Sequence, residues 1–254
     1  MKSFRVVELL LLVAILATSG TALADPSRVH VNEGSSARAI EVAQATVEAM
    51  GGWEALDATR FISWKFFGRR QHYWDRHSGD IRIETERDGV HTIILMNIHT
   101  LKGSAFNDGV ALQGDELAEM MDNGHQAWVN DAYWMFMPYK MLDPGVTLKY
   151  VEERPTAEGN TAWVLDLTFG DGVGYTSDNR YRVYVGKESG LVEQWDFYAE
   201  AAMEEPNFAG PWKDWKTFGR IKLATNHGRD LDWKIAVHDA FPAGLLTDPT
   251  VVAE

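Results

Sequence analysis

The chain has 254 residues, with 24 Lys and Arg against 37 Asp and Glu, a formal net charge of −13 and no cysteine. Such an acidic balance argues against nucleic acid and against docking on anionic lipid, since both need clustered basic side chains. Without cysteine there is no disulfide, no thiol nucleophile, no cysteine metal ligand and no lipid anchor on an N-terminal Cys.

Residues 1–24 follow the plan of a cleaved targeting segment. Lys2 and Arg5 give a basic start, Leu9 to Ala17 an apolar run, and Ala22-Leu23-Ala24 a small-x-small signal before Asp25. The apolar run is well short of the roughly 20 residues that span a bilayer. The expectation is export, cleavage near Ala24, and one domain over 25–254 without a stable membrane anchor.

From Ser36 to Met50, Ile40, Ala43, Val47 and Met50 mark an amphipathic helix, capped by Ser35 or Ser36 and ended by Gly51-Gly52. Trp53 to Ala58 reads as one further turn. The period then changes to two. Phe61 to Gly68 places Ile62, Trp64 and Phe66 on one face, and Gln71 to Asp75 follows. Ile81, Ile83 and Thr85 then oppose Arg82, Glu84 and Glu86, as in a half-buried strand. Asp88-Gly89 is a hairpin turn and Val90 to Leu101 the next strand. Connections this short exclude parallel crossovers, so the sheet is an antiparallel meander.

The run Gly114 to Gly145 is the long helical signal in mid-chain, a helical insert over about 115–141. Asp115 caps it, and Leu117, Met120 and Met121 form one stripe. Gly124 is expected to stop this first helix. A second helix runs from about Gln126 to near Met137, because Pro138 disfavours helix at its predecessor. It carries Trp128, Tyr133, Trp134, Phe136 and Tyr139. Breaks at Asp122-Asn123-Gly124 and Asp143-Pro144-Gly145 leave two readings open: hinges that let residues 125–141 lift, or ordinary turns between packed helices.

Strands return over 146–153, 162–169, 181–185, 191–198, 218–225 and 233–238, with a short hairpin at Gly186 to Gly190. The stretch 199–217, with two prolines, Trp212 and Trp215, reads as an ordered lid-like loop.

Reactive chemistry is sparsely signalled. His72, Asp75, His77 and Asp80 are the densest cluster, but the odd spacing of His72 and His77 turns them to opposite faces of a strand. GDGVGYTSDN lacks the alternating acids and closing Glu of a calcium loop. There is no G-x-S-x-G and no phosphate-cradling loop. No catalytic set, metal set or cofactor is implied.

The order helix, meander, helical insert, second meander comes with local stretches that carry a resemblance. They are the AMGG end of the first helix (Ala49 to Gly52), ISWKFFGRR (Ile62 to Arg70) and WDRHSGDIRIE (Trp74 to Glu84). DPGVTLKY (Asp143 to Tyr150), YRVYVGKESGLVEQWDFY (Tyr181 to Tyr198) and PWKDWKTFGRIKL (Pro211 to Leu223) complete them. Over most of residues 36–225 the chain resembles the LolA/LolB/LppX-like superfamily of bacterial exported lipid and lipoprotein carriers, in a branch of exported proteins. The resemblance implies an α+β fold, a large curved antiparallel sheet forming a half-barrel covered on its concave side by helices. It also implies a tendency to bind hydrophobic ligands. LolB-type members are anchored through a Cys that this chain lacks, which disfavours an anchored acceptor role.

Ten Trp are more than a compact core of this size usually takes. Some of them are expected to line a cavity between sheet and helices. The candidate ligand-binding set is Trp64, Phe66, Ile83, Met120, Trp128, Trp134, Phe136 and Trp195. The expected function is a periplasmic or secreted binding or carrier protein for a lipid or other hydrophobic small molecule. An envelope protein stays open as a partner. Two alternatives also stay open: an enzyme using His72, Asp75 or His125, and an interaction domain of an envelope complex.

Overall fold

The computed structural model describes residues 26–228 and 231–253. The targeting segment expected over 1–24 lies outside the described residues. Among those residues, no helix is long and apolar enough to cross a membrane.

Helix α1 (Ala37–Ala49) is capped by Ser36, whose Oγ accepts from Ala39 N at 3.4 Å and from Tyr150 N at 2.9 Å. One hydroxyl thus starts the helix and ties it to the later sheet. Its stripe of Ala39, Val42, Ala43 and Val47 is buried. Gly51 leads into α2 (Gly52–Ala58) at φ 115°, and a Cβ there would meet Arg220 O at 2.5 Å. Both the left-handed backbone and the close approach demand glycine.

The first strands are β1 (Phe61–Phe66), β2 (Arg70–Asp75), β3 (Asp80–Arg87), β4 (Val90–Asn97), β5 (Gly103–Asn107) and β6 (Val110–Ala111). Helix α3 (Gly114–Lys140) separates them from β7 (Val146–Pro155), β8 (Thr161–Phe169), β9 (Arg180–Gly186) and β10 (Val192–Tyr198). β11 (Phe208–Pro211), β12 (Lys213–Phe218), β13 (Ile221–Asn226) and β14 (Ala236–His238) follow. Among the described residues they form a seven-stranded sheet ordered β14-β1-β2-β3-β4-β5-β6 and a five-stranded sheet ordered β11-β10-β9-β8-β7. A separate β12-β13 hairpin completes them. Every pairing is antiparallel and neither large sheet closes, so the fold is α+β.

Register carries the alternation of the sequence across the first sheet. Ile62 faces Trp74, Trp74 faces Ile81 and Ile81 faces Met96; Trp64 faces His72, His72 faces Ile83 and Ile83 faces Ile94. These side chains share the face that α3 covers. The N-terminal half of α3 packs Leu117, Met120 and Met121 on Ile81, Ile83 and Ile94. Its C-terminal half sits between the sheets, with Phe136 against Trp64 and Trp134 against Trp195.

Several expectations are corrected here. Gly124 does not stop a helix, because α3 runs on without a break. A Cβ at Gly124 would lie 3.1 Å from two carbons of Ile94, so the glycine serves close approach to the sheet instead. Pro138 lies inside the last turn and does not end it. There the missing N–H removes one bond near an end that frays in any case. The expected strand to Leu101 ends at Asn97 and returns as β5. The stretch 199–217 is not a lid: it contains β11 and most of β12. Trp212 within it is a core side chain, and Trp215 Nε1 donates to Val192 O at 2.9 Å. The strand expected over 218–225 is divided by a turn at Gly219-Arg220.

The outer face of β3 also differs from expectation. Arg82 is only 2 % exposed, because the C-terminal stretch lies over it. Its Nη1 donates to Leu245 O and Asp248 O at 3.1 and 3.0 Å, and its Nη2 to Pro249 O at 3.3 Å.

Candidate functional site

Where α3 passes between the two sheets, the packing leaves a cavity of about 500 Å³. Trp128, Ala132 and Phe136 of α3 line it at i, i+4 and i+8, flanked by Val129, Tyr133 and Lys140. Trp74 of β2 forms the wall on one sheet; Phe169 of β8 and Tyr181 of β9 form it on the other. Trp53 and Leu56 of α2 contribute below, and the β8–β9 loop adds Val173, Tyr175 and Thr176.

The rings brace one another edge-on. Trp74 meets Trp128 at 5.1 Å and Phe136 at 5.8 Å between centroids, with interplanar angles of 78° and 79°. Tyr181 meets Phe169 at 5.7 Å and 85°. Edge-to-face contacts of this kind add roughly 0.5–1.5 kcal/mol each beyond area burial. The rings of the wall thus hold one another in place.

Polar groups sit mainly where the wall meets solvent. Arg28 pairs with Asp57, and Lys140 with Asp143. Burial pushes the Tyr133 and Tyr139 hydroxyls above their ordinary pKa, and Tyr181 likewise despite its Asn179 contact. All three phenols therefore stay neutral. Tyr139 donates to Met50 O at 3.1 Å. Both carboxylates of the lining, Asp57 and Asp143, are engaged by cations, so the wall presents rings, neutral hydroxyls and the Arg76 guanidinium to its contents. Among the described residues, no three His, Asp or Glu side chains converge as a metal set.

The chain is similar in structure to a DUF1329 family protein from Desulfovibrio piger ATCC 29098, at 12% identity and a TM-score of 0.43, over 83% of this chain and 97% of that one. It is also similar to a putative outer membrane lipoprotein-sorting protein domain from Vibrio parahaemolyticus, at 9% identity and a TM-score of 0.42, over 83% and 96% of the two chains. A more distant likeness is to MucB, at 17% identity and a TM-score of 0.28, over 82% of this chain and 70% of that one. No family model and no curated protein matches the chain. At these identities and scores the likenesses say nothing about ligand or partner.

Of the expected ligand-binding residues, Trp128, Trp134 and Phe136 line the cavity. Trp64, Ile83 and Trp195 are 0 %, 1 % and 2 % exposed and fill the core, as does Phe66. Met120 packs in the Ile81–Ile94 cluster. None of these five reaches the cavity. The reason is depth: Trp64 is covered by His72, stacked on it at 4.5 Å, and by Phe136. Trp53, Trp74, Arg76, Tyr139, Phe169 and Tyr181 line the cavity without having been in the expected set. Trp74 was accessible from its alternation with His72; Arg76 and Phe169 had no local signal.

The polar residues considered for chemistry do not meet. His72 Nε2 lies 2.7 Å from Asp131 Oδ2 in the core. Asp75 is held by Arg60 at 2.9 and 2.8 Å, a pairing that lowers its carboxyl pKa to about 2. His125 Nδ1 lies 2.6 Å from the Tyr175 hydroxyl, joining α3 to the β8–β9 loop.

Proposed function

We propose that this chain is an exported binding or carrier protein, a single domain over 25–254 released in the periplasm after removal of residues 1–24, and that it holds a lipid or other hydrophobic ligand in the ring-lined cavity. The observation that carries this reading is the cavity itself. Its size falls in the roughly 300–1,000 Å³ range of small-molecule sites, and rings from both sheets and α3 surround it. Trp74, Trp128, Trp134, Phe136 and Tyr181 are the proposed contacts.

Ligand entry runs past the β8–β9 loop, not under a lifting helix. Gly172 and Gly174 of that loop have φ of 74° and 68°, and Tyr175 is 52 % exposed. Among the described residues, the side-chain hydrogen bond that ties it to α3 is that between His125 and Tyr175. The Asp143–Gly145 turn, by contrast, is pinned: Gly145 O accepts from Asn32 Nδ2 and from Gly170 N, each at 2.9 Å.

The test is to extract protein purified from its exporting cell for mass spectrometry, and to displace a bound neutral fluorophore with alcohols of increasing chain length. Each buried methylene contributes about 0.8 kcal/mol, so affinity should rise about fourfold per carbon until the cavity is full. No extracted lipid together with no displacement at any length would refute the reading.

A further inference from the structure

Arg76 follows β2 and reaches the cavity wall, where three cations stand. Arg28 and Lys140 are matched by Asp57 and Asp143; Arg76 has no carboxylate partner among the described residues. Its Nη1 donates to Leu56 O and, at 2.6 Å, to Thr59 O, the carbonyls at the C-terminal end of α2. Those bonds occupy one nitrogen and set it against partial negative charge. Nε is buried without an acceptor, and Nη2 has none among the described residues. The guanidinium carbon lies 5.5 Å from the Trp74 ring centroid. The indole N–H groups of Trp74 and Trp128, in the same wall, also lack acceptors.

A guanidinium does not escape its charge by losing a proton. Burial pulls the Arg76 pKa down by more than the nearby Asp57 charge raises it, the sign of a cation that its surroundings do not fully offset. With three cations against the two carboxylates Asp57 and Asp143, and the helix-end carbonyls offsetting only part of a charge, the wall keeps a net positive site at Arg76. A wall built only for an alkyl chain gains nothing from such a group, because an apolar ligand would strip its remaining water and return no hydrogen bond.

We propose that the cavity takes an amphiphile with an oxyanion head, carboxylate or phosphate, whose head pairs with Arg76 while its tail lies along Trp74, Trp128 and Phe136. This rests on the hydrophobic-ligand reading above and deepens it. A carboxylate or phosphate brings the acceptors that Arg76 lacks, and an arginine–oxyanion contact is among the stronger hydrogen-bonded pairs.

The experiment compares dodecanoate, dodecyl phosphate and dodecanol as displacers of bound N-phenylnaphthylamine, a neutral probe, at a pH where the acid is ionised. At least one anion should bind the wild-type chain about tenfold or more tighter than the alcohol. The better anion identifies the head. Arg76→Met should remove the preference for the anions over dodecanol, whereas Arg76→Lys should keep part of it. The wild-type comparison needs no variant, so it stands even if Arg76→Met folds poorly. Equal binding of acid, phosphate and alcohol would overturn this inference and leave the hydrophobic-ligand reading intact, as would a preference that survives in Arg76→Met. Failure of all three to displace the probe would overturn both.

Discussion

Asp131 on α3 and His72 on β2 meet at 2.7 Å between Oδ2 and Nε2, each almost completely shielded from solvent. Arg70 closes the other side of the carboxylate, Nε to Oδ2 and Nη2 to Oδ1, both at 2.6 Å. Burial alone would raise the Asp131 pKa; the hydrogen bonds from His72 and Arg70 outweigh it and hold the carboxylate ionised. Burial lowers His72, so its ring is neutral, with Nε2–H donating to Asp131 and a lone pair on Nδ1. One buried anion therefore fastens the middle of α3 to the first sheet.

Asp131→Ala leaves Arg70 and His72 facing each other without the anion. Removing one partner of a buried pair costs about 3–5 kcal/mol, and that loss should appear in chemical denaturation monitored by tryptophan fluorescence. A loss below about 1 kcal/mol would show that the contact does not anchor the helix.

Stability should fall as pH drops below about 6.5. His227 lies between Trp212 and Trp233, 4.2 and 4.6 Å between centroids, with neither ring nitrogen bonded, and burial lowers its pKa to about 3. Between about 3 and the unfolded value near 6.5, the unfolded state binds the proton and the folded state does not. The unfolded state is therefore favoured by about 1.4 kcal/mol for each unit of pH through that window, with no contribution from this ring above it. His72, also lowered by burial, acts in the same direction. His227→Phe should flatten the acid limb of a pH–stability curve. An unchanged slope in that variant would refute the assignment.

The anchored helix and the loosely tied loop should separate in amide exchange. Residues 125–137 should exchange as slowly as β8, and residues 170–179 should exchange first among the cavity walls. Ligand should slow that loop preferentially. Opening of 125–137 well ahead of the strands would restore the hinged-helix picture.

Much of the sheet was legible because a period of two reports which face a side chain takes. Ile62, Trp64 and Phe66 with Ile81 and Ile83 did fall on the covered face. The same pattern does not report depth along the strand, so Trp64 and Trp195 could not be told from Trp74 and Trp128. Gly124 was misread because a helix stop and a close helix–sheet approach call for the same residue. β11 was hidden because Pro206, Gly210 and Pro211 read as punctuation, whereas an edge strand tolerates them. Arg76 and the Asp131 pairing depend on contacts between elements distant in sequence. Neither the carbonyls that Arg76 meets nor the cations that Asp131 collects leave a trace in its own neighbourhood.

The most direct test of the cavity as a binding site is to fill it. Val129 lines the cavity from α3 and is only partly buried, so Val129→Trp adds a ring to the space with little demand on the core. Affinity of the purified chain for the neutral fluorophore and for dodecanoate should be measured alongside thermal unfolding. The account predicts a loss of about tenfold or more in affinity for both, with unfolding close to that of the wild type. Undiminished binding in a folded Val129→Trp chain would contradict it.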